Sequence, residues 1–377
     1  MPEYVFRYAD SYLDVANSKD SYIIAKNGRK YLDFLMGWCV GNAGWNKKAI
    51  TDSMKKFKGP TYVSPTYNYD GWERLGEKLV SITGLDATCF RATGGTEAVE
   101  IALKISKAYN RRKNFIAFKN AYHGQSFACM ALVGLHENKF GPYPDNYLRI
   151  NPLSIANWDK LTESVVNNIK KKNICAFISE PIICNLGVVV PPKSFFQSVR
   201  EACDKTDTVM ILDEVTNGFG RTGEWFGFQN YGIKPDIITI AKGFSSGYAP
   251  IGATVADAKI AESMRFDFSN YSTFGWQPLA VETAIANINY IEKNKLVERA
   301  KKSGEYLMSR LTEFSKPSGK GLCIGMWVKN TNVKKKCRDE GLLLDAFLFR
   351  AVLFPALDVT KQEMDTAVEI IRKNSKF

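Results

Sequence analysis

The sequence predicts an α/β protein: a large domain with a mostly parallel central sheet flanked by helices, and a smaller α+β domain beside it. Three observations carry this expectation. From residue 86 to about 256, short apolar runs alternate with stretches of helical period. Several of those runs, such as 174–179 (ICAFIS) and 236–241 (DIITIA), are almost continuously apolar, as strands covered by helices on both faces must be. Outside the block the pattern changes to a hairpin on one side and to long helices with scattered short strands on the other.

Taken in order, residues 22–35 (YIIAKNGRKYLDFL) form two alternating strands around Asn27-Gly28, a pair suited to a tight turn. Strands are expected at 88–92, 114–118, 174–179, 208–212, 236–241 and 252–256. Between them, 96–109 places Val99, Ala102, Leu103 and Ser106 on one helical face, and 194–205 does the same with Phe196, Val199 and Cys203. Residues 279–315 read as helical, 320–357 as short strands with a helix, and 360–374 as a closing amphipathic helix. The expected division is 1–48 as an N-terminal segment packing with the small domain, 49–278 as the large, cofactor-binding domain and 279–377 as the small α+β domain.

Composition narrows the class. With 45% hydrophobic and 24% charged residues the chain has an ordinary soluble composition. No apolar run reaches the roughly 18 residues of a membrane span. The opening MPEYVFRYADSYLDV lacks the basic stretch and apolar core of a signal peptide. Eight cysteines are scattered without a CxxC pair or a His/Cys cluster, so no metal is expected and a cytoplasmic setting with reduced thiols is. A net charge of +12 raises the question of nucleic acid. The lysines are spread, with short runs beginning only at Lys170 and Lys334, and no basic stripe interleaves with aromatics. The charge is read instead as a solvated surface, suited to an acidic substrate or an acidic carrier protein.

Sheets of this kind bind ligands beyond the carboxyl ends of their strands. Several of those ends are polar. The stretch PDIITIAKGFSSGYAPIGATVA (235–256) ends an isoleucine-rich strand on Lys242 and continues into glycines and small residues. A lysine snorkelling to water at a sheet edge is the plain alternative. In ILDEVTNGFGRTG (211–223) a strand ends on Asp213, and in SEPIICNLG (179–187) another meets Glu180. FRATGGTEA (90–98) runs through Gly94-Gly95 into a helix starting at Thr96, whose free N–H groups suit a phosphate, although ordinary turns share the Gly pair. NAYHGQS puts Tyr122 and His123 just after the 114–118 strand, where a ring can cover a flat ligand. Amine, carboxylate, phosphate turn and aromatic lid together describe a site for pyridoxal 5′-phosphate (PLP). The lysine forms a Schiff base with its aldehyde, and the carboxylate keeps the pyridine nitrogen protonated so that the ring accepts electrons from a breaking Cα–H bond.

The motifs GGTEA, YHG, EP, DEVxxGFGRTG, DxxTxAKG and TFGxxPLA stand in one order, with Lys242 following Asp213 by 29 residues. In this the chain resembles the class III aminotransferases of PLP fold type I, which include ornithine, acetylornithine, 4-aminobutyrate and ω-amino-acid aminotransferases. The likeness runs from near residue 32 to near 352. It implies Lys242 as the Schiff-base lysine and acid/base, Asp213 at the pyridine nitrogen, Val215 on one ring face and Tyr122 on the other. It implies that Gly94, Gly95 and Thr96 hold the phosphate. Thr273 would reach the phosphate of the neighbouring subunit, making a homodimer with shared sites. Glu180 and His123 are expected near the ring, where either can serve simply to orient neighbours. Glu214 is expected to be structural and His136 to lie on the surface.

The chain also departs from the family. Members that handle ornithine or acetylornithine commonly carry an arginine after the YHG-type motif, a glutamate five residues beyond the EP glutamate and an arginine in the strand near 352. Here those positions are Gln125, Asn185 and Val352. Arg350, or Arg221 of GFGRTG, is a candidate displaced clamp, and Trp276 with Gln277 replaces a common Gly-Asn. The expected function is a PLP-dependent aminotransferase acting on a terminal or non-α amino group. Alternatives are an aminomutase or racemase of the same family, a conventional glutamate-linked acetylornithine or 4-aminobutyrate enzyme, and a PLP-binding scaffold without turnover.

Overall fold

The strand–helix block folds around a seven-stranded sheet in the computed structural model, which describes residues 13–152, 157–171, 173–329 and 331–375. Residues 1–12 of the expected N-terminal segment, and 376–377 of the expected small domain, lie outside the described residues. The strand order is Ala87–Ala92, Gly252–Asp257, Ile237–Ile240, Val209–Asp213, Ile174–Ser179, Asn114–Phe118, Tyr147–Ile150. All strands run parallel except Gly252–Asp257, which is antiparallel to both neighbours. Its connection from Ile240 is short and has no α-helix, too little chain to cross a face and re-enter in parallel. The three central strands are buried along their whole length, which is why their sequences do not alternate.

Each covering helix shows its reason in sequence. Asp70–Thr83 opens with Asp70 and Glu73 at its positive end, buries Leu75, Leu79 and Ile82 on one stripe, and stops at Gly84 with φ +66°. Gly95–Asn110 buries Val99, Ala102, Leu103 and Ser106 as its period predicts, and Ala98, Ile101 and Ile105 besides. Lys193–Thr206 turns Phe195, Phe196, Val199 and Cys203 inward. Phe195 meets Phe118 and Phe177 of the sheet with ring centroids 5.8 and 6.3 Å apart. Strand Tyr147–Ile150 was not expected. It is a half-buried edge strand carrying Arg149, so it needs no continuous apolar run.

Two four-stranded sheets accompany the large one. The first joins Val15–Lys19, Tyr22–Ala25 and Lys30–Asp33 to Leu342–Leu343, the last pair parallel across most of the chain's length. The turn at Asn27-Gly28 closes the expected hairpin, with Gly28 at φ +81°. The second joins Pro317–Lys320, Cys323–Trp327, Arg350–Leu353 and Asp345–Phe347. Lys47 ties the N-terminal part to the C-terminal one, its ammonium 2.7 Å from both Asp20 and Asp358. Among the described residues no helix is long and apolar enough to cross a membrane.

Candidate active site

The parallel strands deliver their polar residues to one edge of the large sheet. Asp213 closes Val209–Asp213 and is buried. Its Oδ2 lies 2.7 Å from Nδ1 of His123, and its Oδ1 accepts from Thr239 Oγ1 at 3.0 Å and from the Val215 N–H at 3.1 Å. Three donors from three segments thus hold one carboxylate in a single orientation. A carboxylate accepts, so the imidazole proton sits on Nδ1. The ring's Nε2 is buried with no partner among the described residues. Thr239 stands beside Asp213 in the parallel ladder. Sequence reasoning did not assign it a role, though a lone hydroxyl in the strand IITI was the available signal.

Lys242 begins the tight turn after Ile237–Ile240, in the left-handed region at φ +46° and half-buried. A non-glycine residue there costs roughly 1–2 kcal/mol, and the surroundings hold it in place. Asn287 donates to the carbonyls of Gly243 and Phe244 at 2.9 and 3.0 Å, and Ser246 Oγ accepts from the Ala43 N–H at 3.0 Å. These braces come from chain segments that carry no motif.

The glycine turn forms a cradle, closely packed at Gly95 and against Gly252. Gly94 is the N-cap of helix Gly95–Asn110 and supplies no side-chain cap. A Cβ on Gly95 would lie 3.1 Å from the Val215 methyls and 3.7 Å from Ala241, which places Val215 and the Lys242 turn against this helix end. A Cβ on Gly252 would sit 2.7 Å from the Gly94 carbonyl oxygen. Gly124, at φ +130°, lies against Thr96, whose Oγ1 also accepts from the Gln125 N–H at 3.4 Å. Tyr122, between Asn114–Phe118 and Gly124, is exposed.

Glu180, just past Ile174–Ser179, is buried with Oε2 bonded to Thr216 Oγ1 at 2.8 Å and to the Cys184 N–H at 3.2 Å. Its Oε1 has no partner among the described residues. Burial pushes this carboxyl up to about 7 against the field of His123, with Asp213 adding to the rise. Glu214 is also wholly buried and pushed up to about 8 by burial, but the N–H groups of Gly227 and Phe228 occupy both its oxygens. It fastens a loop. The two orphan atoms, the fixed carboxylate, the amine and the uncapped helix end fit a flat polar ligand with an anionic tail.

The remaining predicted residues fall outside this cluster. Arg221 is fully buried, its guanidinium donating to the carbonyls of Leu322 and Pro355 and to Asn42 Oδ1. Arg350 donates to the Gly187 carbonyl at 2.8 Å and to Ser318 Oγ. Asn185 donates to the Asn120 carbonyl at 3.0 Å, and Gln125 is exposed. Val352 is buried among Cys39, Ile182, Cys184, Val188, Cys323 and Phe354. Trp276 is 2% exposed, bonded to the Gly252 carbonyl at 2.9 Å and packed against Phe244, so it braces the cradle from within the subunit. Thr273 is exposed between Tyr271 and Phe274. His136 caps the short helix Glu137–Phe140 and carries no motif. Trp38 was missed: it sits in a left-handed turn, Met36 to Cys39 all at positive φ, and its ring meets Phe347 and Phe354.

Known proteins resemble this chain over nearly its whole length. The acetylornithine aminotransferase of Archaeoglobus fulgidus is 34% identical over 361 residues, covering 95% of this chain and 94% of its own. The leucine/methionine racemase of Thermococcus litoralis is 29% identical, covering 92% and 86%. An aminotransferase structure from Bacillus anthracis superposes with a TM-score of 0.89 at 26% identity, covering 98% and 96%. The ω transaminase of Pseudomonas jessenii, solved in complex with PMP, shares the fold with a TM-score of 0.92, 24% identity and coverage of 99% and 95%. The profile of the family described as Aminotransferase class-III matches residues 5–374. A lysine, a thrice-held aspartate and a glycine cradle on a fold type I sheet, with that match over nearly the whole length, make the chain a member of the class III aminotransferases, enzymes that depend on PLP.

Proposed function

We propose that this aminotransferase takes its amino group from a donor whose reacting nitrogen is terminal or non-α, works as a homodimer with shared sites, and uses Lys242 as its Schiff-base lysine. The observation that carries the substrate reading is Val352 inside an apolar and thiol cluster. Where the resemblance expects a cation to grip a carboxylate, a charge would be buried without a partner. Asn185, Arg350 and Arg221 are all engaged with backbone carbonyls. Bound PLP supplies an electron-accepting ring. The chain does the rest: Asp213 holds a proton at the pyridine nitrogen, the helix end at Gly95 and Thr96 holds the phosphate, and Tyr122 and Val215 enclose the ring. Lys242 Nζ moves the substrate proton. Support for the dimer comes from exposed Phe266, Phe268, Tyr271 and Phe274 around Thr273. The naming of several relatives as acetylornithine aminotransferases favours a conventional glutamate-linked enzyme, and the racemase relative favours inversion without transfer.

The test mixes PLP-loaded protein, without keto acid, with glutamate, acetylornithine and terminal amines lacking an α-carboxylate. The amines are expected to convert the cofactor absorbance to the pyridoxamine form at least about tenfold faster than glutamate, the value of one lost carboxylate contact. Equal rates with glutamate identify the conventional enzyme, and stereochemical inversion without conversion identifies a racemase. Lys242→Ala is expected to lose the yellow cofactor absorbance altogether; its persistence places the covalent link elsewhere.

A further inference from the structure

The geometry points to Cys184 and Cys323 as a redox-active thiol pair, an oxidation site that staples the loop after Glu180 to the second small sheet. Their Sγ atoms lie 3.5 Å apart, although 139 residues separate them in sequence. Cys184 opens the one-turn segment Cys184–Leu186 beyond Ile174–Ser179, and Cys323 begins strand Cys323–Trp327. Both are buried. Their proximity is held by the fold, because the backbone around both is fixed. The Cys184 N–H donates to Glu180 at 3.2 Å, and Cys323 is paired to Lys320 in its ladder. The same seam is crossed by Ser318 Oγ donating to the Val188 carbonyl at 2.9 Å and by Arg350 donating to Gly187 at 2.8 Å. A disulfide needs sulfurs about 2 Å apart, so each sulfur has less than about 1 Å to travel.

Hydrogen peroxide is the oxidant class that balances the step. One thiol attacks the peroxide O–O bond, becoming a sulfenic acid and releasing water. The second thiol then displaces the hydroxyl, so an S–S bond forms, an S–O bond breaks and a second water leaves. Two electrons pass from sulfur to peroxide oxygen. The contact with Cys323, and then burial, hold the Cys184 thiol well above its ordinary pKa, so the reaction waits on opening of the seam and its rate follows that opening. Cys39 shares the apolar cluster, its thiol pushed up to about 12 by burial. Val352 also lies in it, opposite Gly325 on the Cys323 strand, so the staple fixes the wall on which the substrate reading rests. The cross-link itself does not depend on that reading.

The test treats the intact protein with hydrogen peroxide, removes the peroxide, unfolds the protein in the presence of an alkylating agent and maps the peptides by mass spectrometry. The expected result is joint loss of two of the eight free thiols and one Cys184–Cys323 cross-linked peptide, lighter by two hydrogens and cleaved by dithiothreitol. Cys39→Ser is expected to keep the cross-link and Cys323→Ser to abolish it. Recovery of Cys184 and Cys323 as alkylated thiols or as sulfinic acids, or a disulfide of either with Cys39, overturns the assignment.

Discussion

At Glu180 a wholly buried carboxyl keeps one oxygen bonded and one bare, and burial lifts it from the ordinary 4.5 to about 7. The folded chain therefore binds this proton more tightly than the unfolded chain does. Its stabilising effect is complete below pH 4.5 and is lost as the pH rises through 7. Glu180→Gln has no such proton to lose. Relative to wild type it is expected to gain stability between pH 4.5 and pH 8, on the order of 3 kcal/mol, read from urea unfolding at several pH values. Glu214 titrates in both proteins and cancels. A difference that is flat in pH removes Glu180 from this role. At the same scale, Asp213 and Lys242 were legible in the sequence because each ends an apolar strand with a charge. Thr239, Asn287 and Asn42 were not, since each acts across the chain on a partner that sequence distance hides.

Among elements, the cradle depends on Gly252, where an added Cβ would meet backbone rather than side chain. An alanine at 252 would set its methyl 2.7 Å from the Gly94 oxygen and 2.8 Å from its carbonyl carbon, and backbone cannot swing aside as a side chain does. Gly252→Ala is expected to push the 93–95 turn off its geometry and weaken PLP binding at least about tenfold, roughly 1.4 kcal/mol, in an absorbance titration. An unchanged Kd means that the turn tolerates the shift. The motif glycines Gly94 and Gly95 announced this turn, whereas Gly252 stood at the start of a strand with no signal beyond its position. The buried strands were legible for the reason that makes them central: apolar on both faces, they cannot be loops. Edge strand Tyr147–Ile150 and the left-handed turn at Trp38 were not, because one is half-buried and the other is held by partners remote in sequence.

For the whole molecule, exposed aromatics gather in the segment that holds Thr273. Phe266 is 91% exposed and Phe274 65%, the latter edge-on to Tyr62. Phe274→Asp is expected to convert a dimer to monomers in sedimentation velocity and to lower PLP occupancy; a dimer that survives moves the interface elsewhere. The two small sheets tell a different story, one of timing. Synthesis runs from the N-terminus, and the large sheet is complete once residue 257 has emerged. Strand Lys30–Asp33 waits longer: its parallel neighbour is Leu342–Leu343, and the N–H groups of Leu32 and the following Phe34 donate to Gly341 and Leu343. At ordinary translation rates that neighbour arrives roughly 15–60 s later. Through that interval the N–H groups of Leu32 and Phe34 lack the Gly341 and Leu343 carbonyls that they bond in the finished fold. Among the described strands, some of those made early are thus among the last to be fully paired, and in the cell a chaperone would have its longest opportunity there.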